Sequence, residues 1–377
     1  MKRTVLIWPD FNFYHLARFR ALYKKLGKNL LGIEFIGGEG DDHTTQWRYE
    51  DRDKMPITTL FPESDFSQLN RRRVGEAAVK ELISWGADTI FVNGYSRPEL
   101  RVIINWAYKN NKRCFTFFET KEDDFRRFFW KEWAKKAIIK KLDGAICGGI
   151  LHKKYLMKLG MPEDRIYFGY DVVDNDFFKE KSRQARLNSR QNREKYKLPD
   201  NYFLTVARFV KKKNLLRLID AYKLYSEKAG QKYSWHLILC GAGPQEEKII
   251  KKIKKEKIKN IHIAGSKNPE ELAIYYGLAN CFILPSTREQ WGLTVNEAMA
   301  SGLPVLVTKV AGVVPEVVEE GVNGYTFNPF SVEDIAEYML KISSFDNEKL
   351  IQMGKNAENR ISTFTPKYFA ENIIKLI

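Results

Sequence analysis

Short apolar runs alternate with longer stretches of helical periodicity along the chain. In the first half, residues 4–8, 89–92, 114–118 and 144–147 read as strands, and 14–25, 98–109 and 151–159 as helices. In the second half, 202–206, 236–240, 281–285 and 305–307 are strand-like, and 260–267 reads as a strand with its loop. Helical periodicity marks 215–226, 270–278, 293–300, 332–342, 347–361 and 366–377, the last with Tyr368, Phe369, Ile373, Ile374 and Ile377 on one face. Strands alternating with helices predict α/β architecture with parallel, doubly wound sheets. Residues 179–193 are charged and show no apolar period, so they read as a solvated connection.

A chain of 377 residues is too long for one ordinary core and fits two domains. A hydrophobic fraction of 44% with 29% charged residues is ordinary for a globular protein, and no uncharged run approaches the ~20 residues of a membrane-spanning helix. Residues 1–8 lack the length and cleavage site of a signal peptide, so a cytoplasmic location is expected. Cys114, Cys147, Cys240 and Cys281 are scattered among apolar runs and read as reduced, buried thiols. No histidine shows metal-ligand spacing. The net charge of +16 suits nucleic acid, an anionic membrane or anionic small molecules. No nucleic-acid-binding signature accompanies it, so nucleic acid is not expected as a partner.

Residues 121–141 interleave Phe125, Phe128, Phe129, Trp130 and Trp133 with arginines and lysines. Such a segment either lies on an anionic membrane surface or buries its aromatics in the core beneath a solvated basic face.

The richest chemistry lies between 285 and 304. The strand ending at Pro285 is followed by a loop carrying Glu289, Trp291 and Gly292, then a helix beginning at Leu293 and Thr294 and carrying Glu297. In an open parallel sheet, ligands sit at the carboxyl ends of strands, and a helix N-terminus facing that loop offers free amides to an anion. Two carboxylates there can accept hydrogen bonds from sugar hydroxyls, and Gly292 admits a close backbone approach. Earlier, Arg208 and the lysines at 211–213 stand on a second strand-end loop before the helix at 215; cations there suit a pyrophosphate, although a run of three lysines is more often a solvated surface loop.

The sequence Thr-Arg-Glu-Gln-Trp-Gly-Leu-Thr-Val-Asn-Glu-Ala-Met-Ala-Ser-Gly-Leu-Pro, with Glu289 and Glu297 separated by seven residues, resembles the E-x7-E signature of retaining, nucleotide-sugar-dependent glycosyltransferases of the group-1, family 4 class. The stretches 311–318 and 321–325 continue that pattern. The resemblance implies a GT-B fold: two Rossmann-like doubly wound domains facing a cleft, 1–175 for the acceptor and 176–361 for the donor, with 362–377 crossing back to the first. It also implies that Arg208 and Lys213 hold the donor diphosphate, that Glu289 positions the sugar and that Glu297 holds the ribose. Gly241, Gly265 and Ser266 would line the nucleotide, as would the amides after Trp291. Asp10, Asn12, His15, Asn93, Tyr95 and Glu119 fall on the acceptor side.

The expected reaction moves a hexose from a nucleoside-diphosphate sugar to a glycan or lipid-linked acceptor in surface polysaccharide synthesis, with no metal and no cofactor beyond the donor. Same-fold alternatives are a nucleotide-sugar epimerase or a sugar phosphorylase, the latter requiring a lysine-bound pyridoxal phosphate. A non-catalytic basic binding protein is the alternative from another class.

Overall fold

The computed structural model describes residues 2–37, 50–64, 66–230 and 234–377. These residues form two compact units, Met1–Val173 with Phe364–Ile377, and Asp174–Thr363.

The first unit holds seven strands: β1 (Thr4–Trp8), β2 (Leu30–Ile36), β3 (Ile57–Phe61), β4 (Thr89–Asn93), β5 (Arg113–Phe118), β6 (Gly144–Cys147) and β7 (Ile166–Phe168). They pair in parallel in the order β3-β2-β1-β4-β5-β6-β7. Unbroken apolar runs such as Thr4–Trp8 are what a sheet covered on both faces demands, and every residue of β1 is buried. The C-terminal helix Pro366–Ile374 belongs to this unit: Phe369 and Ile373 enter its core, and Phe369 lies 5.7 Å from Phe117 between ring centroids.

The second unit has six strands: β8 (Tyr202–Val206), β9 (His236–Cys240), β10 (Ile261–Gly265), β11 (Cys281–Leu284), β12 (Val305–Thr308) and β13 (Gly324–Phe327). Their order is β10-β9-β8-β11-β12-β13, again all parallel. In each sheet the chain runs outward one way and then restarts from the centre, so the switch points fall between β1 and β4 and between β8 and β11. Loops leaving the carboxyl ends of such strands diverge and leave a crevice. In the second unit those loops carry Arg208, Lys213 and Glu289; in the first they carry Asp10, Asn12 and Asn93.

The four cysteines are free thiols buried on β5, β6, β9 and β11. Burial pushes the thiols of Cys114, Cys240 and Cys281 far above their ordinary pKa.

One expectation is corrected. Residues 179–193 are not an irregular connection: helices Asn175–Leu187 and Ser189–Tyr196 cover them. The inward face of the first is built from Phe178, Ser182 and Ala185, and it lies against the helix Pro269–Leu278. A Cβ at Gly277 would come within 2.7 Å of the Ser182 carbonyl, and the Ser182 hydroxyl donates to the Ala273 carbonyl at 2.9 Å. Small residues let the two backbones approach, and a stripe of serine and alanine carries no apolar signal.

Gly241, just past β9, has φ +135°, and a Cβ there would run into the carbonyl of Ala207 past β8. Gly241→Ala is expected to destabilise the second unit by about 3 kcal/mol through backbone strain and overpacking. The check is a lower denaturant midpoint at unchanged slope.

Candidate functional site

The loops after β8 and β11 are stitched together by their backbones. Asn214 sits in the left-handed region (φ +60°), which asparagine tolerates, and its side-chain amide donates to the carbonyls of Pro285 at 3.0 Å and Pro329 at 2.8 Å. Thr287 donates its backbone N–H to the Lys212 carbonyl at 2.8 Å. These bonds bring Lys213 onto Glu289: Nζ lies 2.5 Å from Oε2, and the Ser286 hydroxyl donates to the same oxygen at 2.8 Å. Burial alone would raise the Glu289 pKa, but the charge and hydrogen bond of Lys213, with Ser286 and Lys212, together hold it below the ordinary carboxylate value.

Lys212 completes the cluster. Burial pushes its pKa down; Glu289 opposes that shift, while Lys213, Arg208 and Arg288 reinforce it. Lys212 and Lys213 thus both bear on the Glu289 carboxylate, and Arg208 and the exposed Arg288 lie close enough to Lys212 to act on its charge. Closely spaced cations repel one another, and an anion bound among them relieves that repulsion.

Gly292 (φ +114°) turns the chain from this cluster into the helix Leu293–Ala300, and a Cβ there would meet Leu284 Cδ2 at 3.0 Å. The amides of Leu293 and Thr294 open the helix, where intrahelical acceptors are lacking and an anion is favoured. Trp291 is buried and anchors the turn by donating its indole N–H to Asn296 Oδ1 at 3.0 Å. The loop 311–313 supports the segment from below, Gly312 and Val313 donating to the carbonyls of Glu289 and Trp291, each at 3.3 Å.

The structure places the remaining donor-side residues less uniformly. Glu297 is buried in the helix, where its Oε2 accepts the Tyr276 hydroxyl at 2.7 Å. Gly241 spends its missing side chain on the Ala207 carbonyl. Gly265 (φ +73°) has open space where a Cβ would stand, and Ser266 beside it is exposed.

In the first unit, Asn12 caps the helix Phe13–Leu26, accepting from the backbone N–H groups of Tyr14 and His15 at 3.1 Å each. His15 stacks on Trp8, and its Nδ1 lies 2.9 Å from the Asp10 carbonyl and 3.7 Å from the Asp10 carboxylate. Asn93 accepts the Tyr170 hydroxyl at 3.2 Å, and Tyr170 accepts the Trp8 indole N–H at 3.1 Å. Tyr95, by contrast, is a core residue stacked on Phe118, and its phenol is pushed up by burial and then by Glu132.

Glu119 has an unforeseen neighbour. Asp171 is fully buried, and burial, followed by the Glu119 carboxyl, raises its pKa well above the ordinary value against the pull of Arg18. Arg18 is itself buried, donates to the Val172 carbonyl at 3.1 Å and lies 4.5 Å from the Tyr170 ring centroid. Among the described residues, no group of three or more His, Cys, Asp or Glu side chains could hold a metal ion, and no helix is long and apolar enough to cross a membrane.

Lys212, Arg288 and Asp171 are the residues here that pattern alone does not single out. A run of three lysines gives no sign of which one is drawn inward; the buried strand ends flanking the loop were the available signal.

Residues 188–360 match the family model of the glycosyl transferases, group 1. This group 1 region lies within the second unit and contains Arg208, Lys213, Glu289 and Glu297. Over 171 residues the chain is 30% identical to alpha-monoglucosyldiacylglycerol synthase of Acholeplasma laidlawii, covering 45% of this chain and 41% of the relative. Over 151 residues it is 31% identical to the serotype-specific mannosyltransferase WbdA of Escherichia coli, covering 40% of this chain and 18% of the relative. The chain therefore spans less than half the length of these two curated relatives.

Solved structures extend the likeness in fold beyond the group 1 region. Sucrose-phosphate synthase from Thermosynechococcus elongatus superposes with a TM-score of 0.77 at 18% identity, covering 100% of this chain and 98% of that one. HepE of Anabaena in complex with UDP gives 0.76 at 17% identity, covering 100% and 99%. Two parallel-sheet, Rossmann-like units of GT-B type are thus the fold of this chain.

Proposed function

We propose that the protein is a retaining, metal-independent glycosyltransferase that moves a hexose from a nucleoside-diphosphate sugar to a glycan or glycolipid acceptor in surface polysaccharide synthesis. The observation that carries this reading is the packing of Lys213 and Ser286 on Glu289, with Lys212 and Arg208 close by, on the loop that leads into the helix Leu293–Ala300.

Cleavage of the sugar–phosphate bond leaves negative charge on the departing diphosphate and positive charge at the anomeric carbon. Arg208, Lys213, Lys212 and the amides of Leu293 and Thr294 stabilise the former. Glu289 accepts hydrogen bonds from the sugar's hydroxyls and Glu297 from the ribose. Gly241, Gly265 and Ser266 border the nucleoside. Attack by the acceptor hydroxyl on the face the phosphate leaves, its proton passing to an oxygen of the departing diphosphate within that ion pair, retains configuration without a covalent intermediate. Cations fixed by the fold do the electrostatic work that a metal ion does elsewhere. Acceptor recognition is assigned to the strand ends of the first unit, through Asp10, Asn12, His15, Asn93 and Glu119.

HepE is recorded with UDP and with UDP-glucose, so uridine donors are the first to test. A ligand that binds only the folded state stabilises it by about 2.7 kcal/mol at a hundredfold excess over Kd. Nucleoside diphosphates and one or more nucleotide sugars are expected to raise the melting temperature of the wild type, with nucleotide release unchanged by EDTA. A screen of uridine and guanosine donors in which nothing shifts the transition and nothing is hydrolysed or transferred removes the reading.

A further inference from the structure

The helix Phe129–Ile139 of the first unit is built inside out. Its polar side chains Glu132 and Lys135 turn towards the protein, where Glu132 Oε2 accepts the Tyr155 hydroxyl at 2.8 Å and Lys135 Nζ lies 2.7 Å from Glu132 Oε1 and 2.9 Å from the Tyr155 hydroxyl. Its aromatic side chains point outward: Phe129 is 82% exposed, Trp133 74%, Trp130 54%, and Phe125 just before the helix 55%. Of the two readings of this segment, burial of these four aromatics in the core is the one the structure does not bear out. An ordinary surface helix does the reverse, and a cluster of large exposed aromatics on one helix marks a surface made to be covered.

The chemistry around the aromatics says by what. Between 125 and 141 stand seven cations and a single carboxylate, and that carboxylate, Glu132, is the one turned inward. Arg126, Lys131, Lys136 and Lys140 are exposed beside the aromatics, and an open hollow at the helix start is lined by Arg126, Arg127, Lys131 and Lys135 together with Glu132. Phe129 and Trp133, four residues apart, share one helix face. A second copy of the chain is disfavoured, because an isologous contact would set two cationic rims against each other. An anionic bilayer satisfies both parts, taking the aromatic rings at the headgroup level and neutralising the rim.

We propose that this face is a docking surface for the headgroup region of an anionic phospholipid bilayer. The helix lies flat on the lipid, aromatics inserted and lysines among the phosphates, while the bonds of Glu132 and Lys135 to Tyr155 keep it fastened to the unit. The contact needs no sugar donor, so it is tested apart from the transferase reading.

The test is flotation of the full chain with phosphatidylglycerol-containing vesicles and with pure phosphatidylcholine vesicles at low salt. Wild type is expected to float with the former and stay behind with the latter. Phe129→Ser with Trp133→Ser, and separately Lys131→Glu with Lys136→Glu, should each reduce the bound fraction roughly tenfold or more on anionic vesicles. Because these side chains are exposed, both variants should keep the wild-type melting temperature. Quenching of tryptophan emission by brominated phosphatidylglycerol in the wild type, diminished by Trp133→Phe, places the ring in lipid. Failure of the wild type to float overturns the proposal, as does equal flotation of both variants. So does a dimer dissolved by the same substitutions, or binding to RNA lost through them, without vesicle binding.

Discussion

Lys213→Ala is expected to lower kcat/KM for sugar transfer by about 10²–10³-fold, the loss typical when one fixed charge-stabilising group is removed from a site. The same substitution should weaken binding of the free nucleoside diphosphate by roughly tenfold or more, because the lost cation faces the ground-state anion as well as the transition state. Lys213→Arg should recover only part of the activity, since a guanidinium has the charge but not the compact tip that reaches Glu289 beside Ser286. Stability falls too, by roughly 1–3 kcal/mol, as Glu289 is left buried with a hydrogen bond fewer. Binding and turnover therefore have to be measured well below the variant's melting transition. Transfer at the wild-type rate would remove Lys213 from the chemistry.

Glu289→Gln should separate binding from transfer in the opposite way. The cationic cluster loses its one carboxylate and gains net charge, so the diphosphate should bind as tightly as to wild type or more tightly. Transfer should nevertheless fall by about 10²–10³-fold, because one of the two oxygens that accept the sugar's hydroxyls becomes an NH2 donor and the carboxylate's negative charge is lost. A variant that lost diphosphate affinity and kept its turnover would show that the carboxylate does something else.

The same substitution has a pH signature. Despite burial, the Glu289 pKa is lowered in the folded protein by Lys213, Ser286 and Lys212. A depressed carboxylate contributes stability above its unfolded value of about 4.3, and that contribution is lost as pH falls through the lower folded value. Wild type should therefore lose stability on acidification below about pH 5 more steeply than Glu289→Gln. Chemical denaturation across that range measures the difference.

Particular elements show how far the sequence could be read. The helix Leu293–Ala300 and strand Gly144–Cys147 were legible to the residue, the first from its glycine, proline and strand neighbours, the second from an apolar run. Lys213 and Glu289, 76 residues apart, were readable as two separate strand-end loops, and their meeting at 2.5 Å is the product of strand order. Residues 179–193 were misread because helix packing there uses Ser182, Ala185 and Gly277, whose burial depends on a neighbour's shape rather than on their own hydrophobicity. The aromatics at 129–133 followed the period of an amphipathic helix, but period alone cannot tell an inward face from an outward one. That was settled by the hydrogen bonds of Glu132 and Lys135 to Tyr155. Lys212 looked like its two neighbours, and only the Thr287–Lys212 backbone bond drew it into the cluster.

What the sequence by itself determined was the alternation of strand and helix, the division into two α/β units, and the loops on which anion-binding chemistry would fall. Those properties are local: they follow from apolar period, from glycine and proline at element ends, and from charge beside a helix start. The tertiary structure decided which charges face one another, that Glu297 is held by Tyr276, that Asp171 is buried near Glu119, and that the aromatic face of Phe129–Ile139 is left uncovered. These depend on distances between residues far apart in the chain, and such distances are set by strand order and by backbone contacts between loops.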